Sequence, residues 1–117
     1  MYYTRMIQLM YLKRGFDTQK AERYFKERRV PVQTVDLAKA KLGARVLESV
    51  LREVGFDALF DQSSAAFKEC PSRYSGNTRA LLEAAAQDPR MLRMPIARNG
   101  QRATVGYMPE VWERWTE

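Results

Sequence analysis

The stretch MIQLMYL, from Met6 to Leu12, followed at once by KRGFDT, from Lys13 to Thr18, decides how the rest of the chain is read. The first seven residues are almost continuously apolar and too few for a helix, which suits a strand buried on both faces at the centre of a sheet. Lys13-Arg14-Gly15-Phe16 then reads as a turn containing a flexible glycine. Asp17 and Thr18 open DTQKAERYFKERR, in which Ala21, Tyr24, Phe25 and Arg28 share one face at helical spacing. Both are expected to cap that helix, with Asp17 also complementing its dipole. Pro31 is expected to end it, and VQTVDL, Val32 to Leu37, alternates apolar and polar residues as a strand does. Strand, helix and strand together take about thirty residues, the length of a parallel crossover unit.

Outward from this unit, Val46, Leu47, Val50, Leu51 and Val54 form the buried face of a second helix that Gly55 stops. Periodicity fails between Phe56 and Gly76, where serines, Pro71 and Gly76 predict irregular or short helical structure. Asn77 then caps a helix over TRALLEAAAQ, closed by Asp88-Pro89. Beyond Pro95, IARNGQRATVGY reads as two short strands about Asn99-Gly100, the dipeptide preferred by a type I′ turn because both central residues need positive φ. Pro109 opens a last helix, PEVWERW, whose Val111, Trp112 and Trp115 can pack on the sheet. The order is that of an α/β protein with a thioredoxin-like mixed sheet, a parallel βαβ start and a closing ββα, with a helical insertion over about residues 42–90 after the second strand.

Composition narrows the chemistry. A chain of 117 residues is one domain with a modest core. It has no histidine, which removes imidazole bases, Ser-His and Cys-His pairs and His-ligated metals. Its single cysteine, Cys70, removes intrachain disulfides, Cys-x-x-Cys pairs and thiolate zinc sites, so no bound metal or cofactor is expected. A lone cysteine of this kind reads as an inert, partly buried residue. The net charge of +6 falls almost wholly in residues 1–58, with 12 basic and 7 acidic side chains there against 8 and 7 in the remainder. Such an excess fits acidic or phosphate-bearing partners, or simply solvated helix faces. The basic first helix lacks interleaved aromatics on its polar side, so nucleic-acid binding is not expected. No apolar run is long enough to cross a bilayer and the start lacks a signal-peptide pattern, so no membrane role and a cytoplasmic location are expected.

The loop from Lys13 to Thr18 lies at a helix N-terminus, where free backbone N–H groups bind anions and lower the pKa of a thiol. At its apex stands Gly15, with no nucleophilic side chain. Trp112 and Trp115, three apart, read as core and edge packing.

Two segments, KRGFDTQKAERYFKER (Lys13 to Arg28) and LRMPIARNGQRATVGYMPE (Leu92 to Glu110), resemble the signature blocks of the arsenate reductase (ArsC-type) and Spx family, in the right order and across nearly the whole chain. The chain is especially similar to the arsenate-reductase-related branch, some members of which carry selenocysteine. The resemblance implies a thioredoxin fold with a helical insertion, a cis peptide bond at Pro95, and reduction of an oxyanion linked to glutathione or thioredoxin as co-substrate. It also implies that Met94, before Pro95, presents its backbone to an extended thiol peptide such as glutathione, the alternative being a purely structural turn.

The departures from the family pattern fall on the chemistry. The nucleophilic Cys or Sec precedes x-D-T-x-K-A, which places it at Gly15, before Phe16-Asp17-Thr18-Gln19-Lys20-Ala21. The second cysteine of Spx-type regulators falls on Thr18, and the arginine that arsenate reductases carry directly before the proline falls on Met94, with Arg93 one residue earlier. Gly15 has two possible origins, an inactive natural variant or the replacement of a reactive residue. Around that position Lys13, Arg14, Asp17, Thr18 and Arg93 are the residues to which the resemblance gives anion or thiol binding; the alternative for the three cations is that they are solvated loop charges. A different implication comes from the Spx branch, in which Gly55 and Arg93 fall on or near contacts with the carboxy-terminal domain of the RNA polymerase α-subunit. Gly55 is equally an ordinary helix C-cap.

Overall fold

The computed structural model describes residues 6–13, 15–74 and 76–115. Four strands form one mixed sheet in the order β2-β1-β3-β4, with β1 at Ile7–Tyr11, β2 at Val32–Asp36, β3 at Ile96–Asn99 and β4 at Arg102–Val105. β1 pairs in parallel with β2, Leu9 opposite Thr34, and antiparallel with β3, Leu9 opposite Ala97. The apolar run is central as the sequence predicts, because its two faces cover two separate layers. Leu9 and Ile7 pack with Ala21, Tyr24, Phe25, Ala97 and Trp112. Met10 points the other way, into a layer built from Leu37, Leu47, Val50, Phe60, Leu82 and Ile96.

The smaller layer is aromatic. Helix α1 (Phe16–Glu27) lays Tyr24 and Phe25 against Trp112 of the C-terminal helix α6 (Pro109–Trp115), with Phe25 and Trp112 ring centres 4.8 Å apart. The larger layer is the insertion: α2 (Ala44–Val54), the short helices α3 (Phe56–Leu59) and α4 (Ala65–Lys68), a 3₁₀ turn at Pro71–Tyr74, α5 (Thr78–Gln87) and a second 3₁₀ turn at Pro89–Met91. Each large ring or aliphatic chain removed from water here is worth about 1.5–3 kcal/mol. Among the described residues of the unperiodic segment, short helices thus alternate with irregular stretches, as its composition predicts.

Three local expectations need correction. Helix α1 begins one residue earlier than its polar residues suggest: Gly15 is the N-cap, no side chain caps the end, and Asp17 and Thr18 lie inside the first turn. Nor does Pro31 end that helix. Arg29 adopts a left-handed conformation with φ 56°, and the Val30 and Arg29 N–H groups donate to the Phe25 and Lys26 carbonyls, a Schellman closure with arginine where glycine is usual. In the hairpin, Asn99 pairs with Arg102, so Gly100 and Gln101 are the two turn residues. Of these Gly100 alone has positive φ, 65°, the pattern of a type II′ turn with glycine at its first central position. Elsewhere local chemistry holds: Asn77 accepts from the Ala80 N–H as cap of α5, and Gly55 ends α2 with φ 91°. No helix among the described residues is long and apolar enough to cross a membrane.

Candidate functional site

The C-terminal end of β1 leads through Leu12 and Lys13 to Gly15 at the N-terminus of α1. Gly15 is exposed, with φ −91° and ψ −170°, a backbone any residue adopts. A Cβ placed there would meet nothing closer than the Lys13 carbonyl at 3.9 Å. The position therefore accepts a side chain directly in front of the helix N-terminus. Phe16, next in the chain, is 75% exposed, and Lys20 from the following turn reaches over both the Phe16 and Tyr107 rings.

Opposite this loop runs the segment entering β3. The Met94–Pro95 peptide is cis, Pro95 is fully buried, and its carbonyl accepts from the Gly106 N–H at 2.8 Å, which ties the start of β3 to the end of β4. Just before it, Leu92 bridges antiparallel to Phe60. The Arg93 N–H donates to the Leu59 carbonyl at 2.8 Å and the Asp61 N–H to the Met91 carbonyl at 2.9 Å. This bridge brings two distant parts of the chain to one rim.

The result is an open cleft of about 430 Å³ lined by Leu12, Lys13, Asp61, Arg90, Leu92, Arg93 and Met94. Of the expected site residues it gathers Lys13, Arg93 and Met94. Thr18 is 2% exposed and Asp17 lies exposed on the first turn of α1, so neither lines the cleft. Arg14 lies outside the described residues. Sequence reasoning misses Arg90 and Asp61. Arg90 is held by Asp88 through two 2.8 Å bonds, from Nε to Oδ1 and from Nη2 to Oδ2. Asp61 accepts at Oδ1 from the Ser63 hydroxyl (2.6 Å) and N–H (3.2 Å). The Ser63 hydroxyl bond, more than the Ser63 N–H and nearby Arg93, keeps this carboxyl below its ordinary pKa against the opposing effect of partial burial. No local signal marks Asp61, since only the Phe60–Leu92 bridge carries it to the cleft.

The second pair of expected contacts is also close in space. Arg93 Nε donates to the Asp57 carbonyl at 3.3 Å, two residues beyond Gly55, and Phe56 between them is 38% exposed. Cys70 is buried in the insertion layer among apolar neighbours. Among the described residues no group of three or more acidic or thiol side chains is arranged to hold a metal.

A sequence model of the ArsC family matches residues 13–115. No curated protein matches the chain by sequence. Solved structures similar to it include an arsenate reductase from Vibrio cholerae, with TM-score 0.80, 16% identity and coverage of 96% of this chain and 98% of that one. A YffB protein aligns with TM-score 0.79 and 18% identity over 95% of this chain and 99% of its own. An arsenate reductase (ArsC) related protein from Brucella melitensis gives 0.65 and 19% over 99% and 98%. At these identities the likeness is one of fold, the ArsC-type thioredoxin-like fold.

Proposed function

The chain belongs to the ArsC family, and on that premise we propose that it binds an oxyanion or a thiol peptide such as glutathione at the Lys13 and Arg93 cleft without performing thiol chemistry of its own. The observation that carries this reading is Gly15 at the N-cap of α1, the position to which the resemblance of the first signature block assigns the nucleophile. A hydrogen atom there can attack neither arsenic nor sulfur. The free N–H groups of the helix end and the two cations still attract an anion. The protein is in this reading an arsenate-reductase-like scaffold acting in the cytoplasm, with glutathione or thioredoxin as ligand or partner rather than reductant.

Arsenate and disulfide reduction assays supplied with glutathione or with thioredoxin test the proposal. The chain as it stands is expected to give no turnover above the blank, and Gly15→Cys to restore some. Robust turnover with Gly15 in place would overturn it.

A second reading is favoured by the bond from Arg93 to the Asp57 carbonyl, which joins the cleft to the Gly55 corner with its exposed Phe56. It is a regulatory role, in which Gly55 and Arg93 dock on the carboxy-terminal domain of the RNA polymerase α-subunit. A pull-down with that domain tests it, and absence of binding at micromolar concentration would end it.

A further inference from the structure

Three charges share the cleft without neutralising one another. Lys13 forms no ion pair among the described residues. Arg93 commits Nε to the Asp57 carbonyl, and its other guanidinium nitrogens form no hydrogen bond or ion pair among the described residues. Asp61 is bound by Ser63 through Oδ1, while Oδ2 accepts no hydrogen bond among the described residues. Arg93 sits near enough to favour the charged form of Asp61, yet no ion pair joins them. Arg90, the fourth charge, is the exception, since Asp88 satisfies it at both ends.

This pattern is poorly suited to a bare oxyanion. A doubly charged tetrahedral anion drawn in by Lys13 and Arg93 also meets the Asp61 carboxylate, which hydrogen bonding keeps ionised, and like charges brought together in one site oppose binding. A molecule that carries an ammonium and a carboxylate on one short frame satisfies all three groups at once through charge-assisted bonds, the two carboxylate oxygens accepting from the two cations. A volume of about 430 Å³ is adequate for such a ligand.

We propose that the cleft takes the zwitterionic amino-acid end of a thiol peptide, Asp61 accepting from its ammonium while Lys13 and Arg93 donate to its single α-carboxylate. Asp61 is thereby the residue that sets the preference for such a ligand over a simple oxyanion. This inference rests on the reading of the cleft as the anion and thiol site. It involves no covalent step and so needs no side chain at residue 15.

The test is an NMR titration of the isotope-labelled full chain at fixed ionic strength with three probes: glutathione, its analogue lacking the ammonium (glutaryl-cysteinylglycine), and inorganic phosphate. Glutathione is expected to shift the Lys13, Asp61 and Arg93 amides and to bind about tenfold more tightly than the analogue, the scale of one hydrogen bond between charged groups. Asp61→Asn is expected to abolish that difference and to strengthen phosphate binding. Equal affinity of the wild-type chain for glutathione and the analogue would overturn the proposal, as would a preference that survives Asp61→Asn. If phosphate and the analogue bind the cleft and glutathione has no advantage, the anion site stands and the role of Asp61 falls. If none of the three shifts these amides at millimolar concentration, both fall.

Discussion

The indole nitrogen of Trp112 donates a 2.8 Å hydrogen bond to the Thr104 hydroxyl, both residues being buried, and this bond fastens α6 to strand β4. Thr104→Val keeps the shape and removes the acceptor of this buried bond. The expected loss is about 1–3 kcal/mol of stability, read as a lower midpoint in urea unfolding. Thr104→Ser, which keeps the hydroxyl, should recover most of the hydrogen-bond contribution. An unchanged midpoint for Thr104→Val would show that the bond contributes nothing.

Gly15 and Gly55 should respond oppositely to a side chain. Gly15→Cys meets open space and an ordinary φ, so the expected change is under about 1 kcal/mol, the scale of a helix-cap exchange. Gly55 has φ 91° and ψ 166°, a region reserved for glycine, and Gly55→Ala should cost about 1–3 kcal/mol although its Cβ would touch nothing. Thermal or urea unfolding of the two variants side by side checks the contrast.

In Gly15→Cys the new thiol stands at the N-terminus of a 12-residue helix. Its alkylation by iodoacetamide should be half-maximal below about pH 8.5, the value of a free cysteine, because the helix end favours the thiolate. The wild-type chain, whose one thiol is buried, serves as the blank and should react slowly. A midpoint at or above that of free cysteine would contradict the placement of residue 15.

Asp61 and Asp88 both have carboxyl pKa values below the ordinary one, chiefly through the side-chain hydrogen bonds from Ser63 and from Arg90. Folded values below unfolded ones mean that each contribution to stability is complete above about pH 4 and is lost as the pH falls through the folded value. Carboxyl titration followed by carbon NMR should show both midpoints depressed. Ser63→Ala should move the Asp61 midpoint up and leave that of Asp88 in place.

Much of the architecture is readable from a few residues. The run Met6 to Leu12 declares a strand with two covered faces, and Leu9 and Met10 do face opposite layers. Asn77 caps its helix as its side chain predicts. The chain misleads where two backbone solutions compete for one sequence. Asn99-Gly100 is a strong turn signal, but pairing of Asn99 with Arg102 moves the turn by one residue. Arg29 takes a left-handed conformation usually left to glycine, because the closing bonds at Phe25 and Lys26 and the packing of Val30 over-determine it. In the site, Lys13, Arg93 and Met94 are legible because they lie at the starts of the two signature blocks. Asp61 is not, since its place depends on a bridge between segments about thirty residues apart in the chain, and local spacing carries no information about such a pairing.

The carbon that Gly15 lacks would belong to neither layer of the core. Folding therefore constrains residue 15 only through its place as the helix cap, and core packing sets no condition on a side chain that starts there. A side chain at residue 15 would therefore answer to what reaches the front of helix α1 from solvent, and to neither layer of packing behind it.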